Sequence, residues 1–205
     1  MILSRAILSV FCGGAVFLGA VSSAAAASAR DRGSVAGPFY NAETNSYFQL
    51  FQHTRRGASF RWAQAHAQAK HKSHKGEHGH LALIKDPKTL EFIREKFPHP
   101  GDTWIGLRYF CKFSKLMWVD GELQGPKAAG MWHPQWHRTT ARCEGKTYMP
   151  IYLTTPAEGG VYWQASGPMK GLNYYLVEYP GPKKPEDVSQ NMKGSTKPGA
   201  ASTTQ

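Results

Sequence analysis

Cysteine is scarce in this chain, which has three in 205 residues. A small fold held mainly by a disulfide framework needs a denser set, so the chain must depend on a hydrophobic core. Cys12 lies in an apolar N-terminal segment, which leaves Cys111 and Cys143 for the remainder. In an oxidising compartment one disulfide between these two is the simplest expectation, and two free buried thiols are the alternative.

Acidic side chains are also few, with 14 Asp and Glu against 25 Lys and Arg and a formal net charge of +11 at pH 7. The acids are scattered, and no Ser or Cys lies in a recognisable nucleophile motif, which argues against an enzyme. The positive charge favours anionic partners such as acidic polysaccharide, and solubility alone is the alternative explanation. We find no nucleic-acid-binding motif and expect no nucleic-acid partner.

Long hydrophobic runs are absent except near the N-terminus. Residues 6–21 are apolar and residues 22–29 are nearly all Ala and Ser, which is typical of a secretory signal peptide over residues 1–29. A transmembrane anchor is the alternative, but the run is shorter than the roughly 20 residues that a span needs. We expect a mature chain without a transmembrane segment that is periplasmic or secreted.

The remaining sequence divides by composition into three parts. Residues 30–39 form a short polar lead-in, and residues 40–180 hold almost all the apolar side chains. Residues 181–205 are mostly Lys, Pro, Gly, Ser and Thr, which predicts a disordered basic tail. The middle part is long enough for one hydrophobic core.

The periodicity of the middle part predicts two helices and several strands, an α+β fold. The first helix spans residues 60–72, capped by Ser59, with Phe60, Ala63 and Ala67 facing inward. The second spans residues 87–97, with Asp86 as N-cap, Pro87 at the first helical position, and an apolar inner face. That inner face consists of Leu90, Ile93 and Phe97. The predicted strands are Ser46–Gln52 and residues 104–107, 116–119, 148–153, 160–163 and 173–179. Residues 81–84 are predicted as a short buried strand or an extended turn. Gly106, inside a strand, indicates a close approach of another backbone segment.

Short motifs follow one another in an order that carries a resemblance. They are Gly79-His80-Leu81-Ala82-Leu83-Ile84, Thr103-Trp104-Ile105-Gly106-Leu107, Trp118-Val119-Asp120-Gly121-Glu122 and Tyr174-Tyr175-Leu176-Val177-Glu178-Tyr179-Pro180. With the opening segment at residues 41–48, this set resembles the bacterial, exported members of the C-type lectin-like domain family over residues 40–180. The resemblance implies two helices packed on small antiparallel sheets, a long loop at residues 125–146, and a non-catalytic binding module.

The resemblance also shows what this chain lacks. Ala67 and Val177 stand where the family places its first disulfide, which implies that packing replaces the bridge. Pro168 stands near one end of the family's second bridge and Cys143 near the other, whereas Cys111 has no counterpart.

The calcium-binding triplets of sugar-binding family members are missing too. His133-Pro134-Gln135 occupies the place of the first triplet, and Trp163-Gln164-Ala165 that of the second. Calcium prefers six to eight oxygen ligands including carboxylates, and residues 125–143 contain no Asp or Glu. The resemblance therefore implies binding without calcium and no cofactor. By the same resemblance, Pro134 is a candidate cis-proline.

The long loop is rich in aromatic and cationic side chains. Such side chains suit the binding of a carbohydrate, including an anionic glycan, or of a protein surface. Aromatic rings stack on the apolar faces of sugars, and cations pair with carboxylate or phosphate. The candidate ligand-binding residues are Trp132, His133, Trp136, His137, Arg138, Tyr162 and Trp163. The alternative is that Trp132 and Trp136 only pin the loop to the domain.

A histidine-rich tract supports a second hypothesis, a periplasmic metal-binding protein. Its candidate ligands for zinc, copper or nickel are His71, His74, His78 and His80. The neighbouring lysines Lys70, Lys72 and Lys75 oppose a dication, so a solvated basic loop is the alternative. A third hypothesis is an envelope-associated structural protein whose basic tail holds an anionic polymer.

Overall fold

The structure is a computed structural model, and it describes residues 33–53, 60–97, 101–128, 130–135, 143–157 and 159–182. The predicted signal peptide at residues 1–29 and most of the predicted basic tail lie outside the described residues. Within the described ranges, no helix has the length and apolar character needed to cross a membrane.

The described residues form two α-helices and twelve β-strands. The helices are α1 (Trp62–Lys70) and α2 (Pro87–Lys96). The strands are β1 (Ser34–Asn41), β2 (Ser46–Gln52), β3 (Phe60–Arg61), β4 (Ser73–His74), β5 (Glu77–His78), β6 (His80–Leu81), β7 (Thr103–Phe110), β8 (Lys115–Trp118), β9 (Tyr148–Thr154), β10 (Tyr162–Ala165), β11 (Gly171–Leu172) and β12 (Tyr174–Pro180). The predicted α+β class is confirmed.

One large sheet organises the domain, with strand order β1-β2-β12-β7-β9-β10. Strand β12 pairs antiparallel with β2 and parallel with β7, so the last strand lies at the centre of the sheet. Strand β8 pairs with β7, β6 pairs with β12, and β3–β11 and β4–β5 form two small separate sheets. The sheet begins at Ser34, whereas the sequence pattern places the start of the folded part at Tyr40.

Each face of the large sheet carries its own hydrophobic core. Along β7, Trp104 packs in the cluster that contains the buried face of α1, while Ile105 and Leu107 pack in the cluster that contains α2. Successive side chains of a strand point to opposite faces, so one helix covers each face. Strands buried on both faces read as nearly continuous apolar runs, which explains the composition of β9 and β12.

Helix α2 forms as its sequence predicts. The Asp86 carboxylate accepts hydrogen bonds from the backbone N–H groups of Lys88 and Thr89 at 2.9 and 3.0 Å and from the Thr89 hydroxyl at 2.9 Å. Pro87 occupies the first turn. The predicted inward residues Leu90, Ile93 and Phe97 are all buried.

Replacing Asp86 by alanine is expected to lower the free energy of unfolding by about 1–2 kcal/mol, the usual range for loss of an N-cap acceptor. Urea denaturation followed by tryptophan fluorescence measures the change. Asp86→Asn is the matched control, because it keeps a side-chain oxygen and should lose less. Equal losses for the two variants would contradict the capping role.

Helix α1 differs from its prediction at its start and in its inward face. Residues 60–61 form β3, paired with β11, and the helix begins at Trp62. Trp62 donates a hydrogen bond from its indole nitrogen to the carbonyl oxygen of Ile105 at 2.7 Å. This contact directs the Trp62 side chain inward and fixes the rotation of the helix. The buried residues are Trp62, Ala65 and Ala69, whereas Ala63 and Ala67 are exposed. The proposed cap Ser59 lies outside the described residues.

The expected replacement of a disulfide by contact between Ala67 and Val177 is therefore wrong. Val177 is fully buried, but Ala67 points to solvent. Ala65 and Ala69 share the core cluster with Val177 instead, because they lie on the helix face that Trp62 turns inward.

Candidate functional site

The first part of the long loop is held against the edge of the large sheet. After a 3-10 turn at Pro126–Ala128, the Met131 carbonyl oxygen accepts a hydrogen bond from the Trp163 N–H at 2.6 Å. The His133 N–H donates to the Trp163 carbonyl oxygen at 2.9 Å. These bonds extend the sheet beyond β10 and fix the positions of residues 131–133.

The second part of the loop is tied by the disulfide between Cys111 and Cys143, whose Cα atoms lie 5.6 Å apart. The predicted pairing is confirmed. The Cys111 N–H also donates to the Thr147 carbonyl oxygen at 3.1 Å. The bridge thus joins the end of β7 to the segment that leads into β9.

Two of the predicted ligand-binding tryptophans serve packing. Trp163 has no exposed surface, and its ring lies 5.7 Å from that of Trp118 and 5.5 Å from that of Trp132, edge to face in both cases. As a buried core residue Trp163 makes no contact with a surface ligand, so its prediction is wrong. Trp132 is half-buried, and its contact with Trp163 pins the loop to the sheet.

His133 and Tyr162 are brought together at the surface as the sequence predicts. Their rings are 5.7 Å apart, nearly perpendicular, and both side chains are partly exposed. The Tyr162 ring lies against Gly160, where a Cβ atom would come within 2.6 Å of it, and Gly160 has a φ of +86°. The His133 Nδ1 accepts a hydrogen bond from the Gln135 N–H at 3.1 Å, which orients the imidazole. Trp136, His137 and Arg138 lie outside the described residues.

A cleft of about 300 Å³ lies beside this aromatic pair, between α2 and the loop. We call it the α2–loop cleft. It is lined by Pro87, Leu90, Glu91, Arg94, Gly130, Met131, Gly160, Val161 and Tyr162. Glu91 and Arg94, which form an ion pair on α2, were not among the sequence candidates. Their spacing of three on a predicted helix, next to the inward Leu90, was the available signal.

No protein-family model matches the chain, and no curated protein matches its sequence. Solved structures do match. SPL-1, solved as a complex with GlcNAc, aligns with a TM-score of 0.50 and 14% identity over 72% of this chain and 93% of its own. The mouse scavenger receptor C-type lectin carbohydrate-recognition domain gives a TM-score of 0.47 and 16% identity over 72% of this chain and 100% of its own. The C-type lectin CEL-I from Cucumaria echinata gives a TM-score of 0.46 and 17% identity over 68% of this chain and 94% of its own.

This chain has the C-type lectin-like fold. At these identities the likeness shows the fold alone. The two helices expected from the ordered sequence motifs are confirmed.

The two places where the sequence resemblance puts calcium-binding triplets hold side chains that are poor calcium ligands. At the first place, residues 133–135, His133 and Gln135 supply an imidazole and a neutral amide. At the second, residues 163–165, Ala165 is buried and its methyl group has no ligand atom. The peptide bond between His133 and Pro134 is trans, so the cis-proline hypothesis is wrong. The cis bond within the described ranges is Gly37–Pro38.

The carboxylates closest in sequence before the loop are already in ion pairs. The Lys85 ammonium lies 2.6 Å from Asp120 and 2.6 Å from Glu122. Burial opposes the charge of Lys85, but the hydrogen bonds that its ammonium donates to both acids outweigh burial and raise the Lys85 pKa. For Asp120, burial works against ionisation, yet the bonds from Lys85 and the backbone lower its pKa. These acids stabilise the turn after β8.

The histidine tract does not form a metal centre in this C-type lectin-like domain. Within the described ranges no group of three or more His, Cys, Asp or Glu side chains lies close enough to hold a metal ion. His71 ends α1, and His74 packs its ring 4.7 Å from Tyr47. His78 is exposed on β5, and the His80 Nδ1 lies 3.0 Å from the Leu81 carbonyl oxygen. These four histidines are all described and form no such group, which contradicts the metal-ligand prediction for them.

Proposed function

We propose that the protein is an exported, non-catalytic binding module that recognises carbohydrate at the α2–loop cleft without calcium. The observation that carries the proposal is the pair of rings of His133 and Tyr162 beside a cleft whose wall contains Glu91 and Arg94. The disulfide Cys111–Cys143 supports export, since such bonds persist in oxidising compartments.

Carbohydrate fits the chemistry of this cleft. The Tyr162 ring offers an apolar face with a polar edge, and such rings suit the C–H faces of sugar rings. Glu91 and Arg94 offer acceptors and donors for hydroxyl groups at fixed positions on a rigid helix. The fold neighbour SPL-1 was solved with GlcNAc, which supports the choice of carbohydrate over a protein surface.

The ligand types support calcium independence. A calcium ion needs six to eight oxygens at 2.3–2.6 Å, with carboxylates among them. The triplet positions offer imidazole, amide and methyl groups in place of carboxylates. We therefore assign recognition to ring stacking and to direct hydrogen bonds from α2 and the loop.

Tyr162→Ala is expected to weaken glycan binding at least about tenfold, or roughly 1.4 kcal/mol, because it removes the ring beside the cleft. A glycan array in EDTA identifies the ligand, and calorimetry with that glycan gives the affinity. Tyr40→Ala is the matched control, since Tyr40 is an exposed tyrosine on β1 outside the cleft.

Three results would overturn the proposal. Binding that disappears in EDTA and returns with calcium would exclude a metal-free site. Equal affinities of the Tyr162 and Tyr40 variants would place the ligand elsewhere, and binding to protein probes alone would replace carbohydrate by a protein surface.

A further inference from the structure

Arg108 is a half-buried arginine on β7, and no acidic residue pairs with it among the described residues. Its guanidinium carbon lies 4.8 Å from the ring centre of Trp62, 4.8 Å from that of Phe110 and 5.5 Å from that of Tyr148. Its Nε is buried without a hydrogen-bond partner. Three aromatic rings thus surround a guanidinium cation that still has unused hydrogen-bond donors.

The lack of a partner matters at the Nε, which is buried although the side chain as a whole is only half-buried. A buried donor without a hydrogen bond loses the bond that it would make with water, at a cost in free energy. Aromatic faces offset part of this cost by cation–π attraction, and burial lowers the Arg108 pKa. The guanidinium still has donors in a fork that matches two oxygens of one anion.

His66 adds a second unpartnered donor or acceptor, on the same Trp62 ring that Arg108 contacts. Its ring stacks on Trp62 with centroids 5.1 Å apart and an angle of 15°, and its Nδ1 is buried without a partner. Burial first, and then the charges of Lys70, Arg108 and His80, lower the His66 pKa to about 4. The charges that act on His66 from α1, β7 and β6 are all positive.

Helix α1 and strand β7 bring these groups together by simple periodicities. Trp62, His66 and Lys70 lie four residues apart, which places them on one side of α1. Arg108 and Phe110 lie on the face of β7 opposite to Leu107, and Phe110 pairs with Tyr148 on β9. Trp62 is buried, but the side chains around it that form the cluster are partly or fully exposed, so solvent reaches the edge of the cluster. These are His66, Lys70, Arg108, Phe110 and Tyr148.

We propose that Arg108, His66 and Lys70 form a binding site for a single oxyanion group, a carboxylate or a sulfate carried by an acidic sugar. The guanidinium of Arg108 donates two parallel hydrogen bonds to the anion, the His66 imidazole donates a third, and Lys70 adds charge at the solvent edge. Trp62 and Tyr148 hold Arg108 in place. We call this the Arg108 site.

The Arg108 site is distinct from the α2–loop cleft. Its residues belong to α1 and the sheet face that α1 covers, whereas α2 forms a wall of the cleft on the other face. No residue lines both. The inference therefore stands whether or not the proposed function holds, and Tyr162→Ala is expected to leave it unchanged.

The test is an NMR titration of the full mature chain with sodium sulfate and with sodium D-glucuronate, matched in ionic strength by sodium chloride. We expect saturable shifts of the Arg108 Nε–H and the His66 ring signals with at least one of the two anions. Saturation by glucuronate alone assigns the site to carboxylates, and saturation by sulfate alone to sulfate esters. The bound anion should also raise the His66 pKa, because it stabilises the imidazolium.

Arg108→Gln is expected to weaken anion binding at least about tenfold, since charge-assisted bidentate bonds are the strong ones. Lys96→Gln removes the same charge on α2 and should leave the affinity unchanged. His66→Phe keeps a ring on Trp62 but removes the nitrogen, and should weaken binding even if the Arg108 variant does not fold. Shifts no larger than those with chloride, or variants that bind as tightly as the native chain, would overturn the proposal.

Discussion

Replacing Gly106 by alanine is expected to destabilise the domain by about 3 kcal/mol, the upper range for overpacking a close-packed interior. A Cβ atom at this position would lie 2.6 Å from the Leu81 carbonyl oxygen and 3.1 Å from that of Ala82. Both neighbours are backbone atoms, and the Gly106 N–H already donates to the Ala82 carbonyl oxygen at 2.9 Å. The Ala82 N–H is bound in turn to Leu176 at 2.9 Å, so this segment cannot move away without loss of hydrogen bonds.

Urea denaturation of Gly106→Ala measures this effect. Gly125→Ala is the matched control, because a Cβ atom there would have no neighbour within 4 Å. The control should change the free energy of unfolding by less than about 0.5 kcal/mol. If the two variants unfold at the same urea concentration, β7 does not approach the segment at residues 81–82 as closely as the structure places it.

Gly106 also illustrates what the sequence could predict. A glycine inside an apolar strand has few explanations, and close backbone approach is one of them. Asp86 followed by Pro87 likewise has one strongly preferred structural role, the start of a helix. Such positions carry their physical cause in the residue type itself, so α2 and the longer strands from β2 onward followed from the sequence. Strand β1 and the two-residue strands β3, β4, β5 and β11 did not, and the C-type lectin-like fold came from the resemblance of the ordered motifs.

The inward face of α1 did not follow, and its composition explains why. Alanine occupies residues 63, 65, 67 and 69, so opposite faces of the helix carry equivalent side chains. The face is selected by Trp62, whose indole nitrogen binds the carbonyl oxygen of Ile105, 43 residues later in the chain. A contact of this kind belongs to the tertiary structure and leaves no local pattern.

The candidate site was predicted in part for a related reason. The residue types indicated that aromatic side chains lie near the loop, but not which of them would be buried in the core. Trp163 is buried because β10 alternates inward and outward, while its neighbour Tyr162 faces outward. Arg108 was missed, although it is the one charged residue within β7, and a charge in an otherwise apolar strand was a usable signal.

Removing the disulfide between Cys111 and Cys143 is expected to lower the free energy of unfolding by about 3–4 kcal/mol. The bridge joins residues 32 apart, and closing a loop of this length restricts the unfolded chain by an entropy that corresponds to that amount. Urea denaturation with and without dithiothreitol measures the loss. The double variant Cys111→Ser, Cys143→Ser should match the reduced native chain.

The double variant also separates loss of the bridge from other effects of the reductant, because dithiothreitol should not change its unfolding. Since the bridge anchors the segment that leads from the long loop to β9, its loss should also loosen the loop and weaken binding at the α2–loop cleft. The bridge also adjoins the Arg108 site, because Phe110 at the end of β7 and Tyr148 at the start of β9 both lie against Arg108. The anion affinity of that site should therefore fall as well. If reduction changes the free energy of unfolding by less than about 1 kcal/mol, hydrogen bonds such as that from Cys111 to Thr147 suffice to hold the segment, and the bridge contributes little to stability.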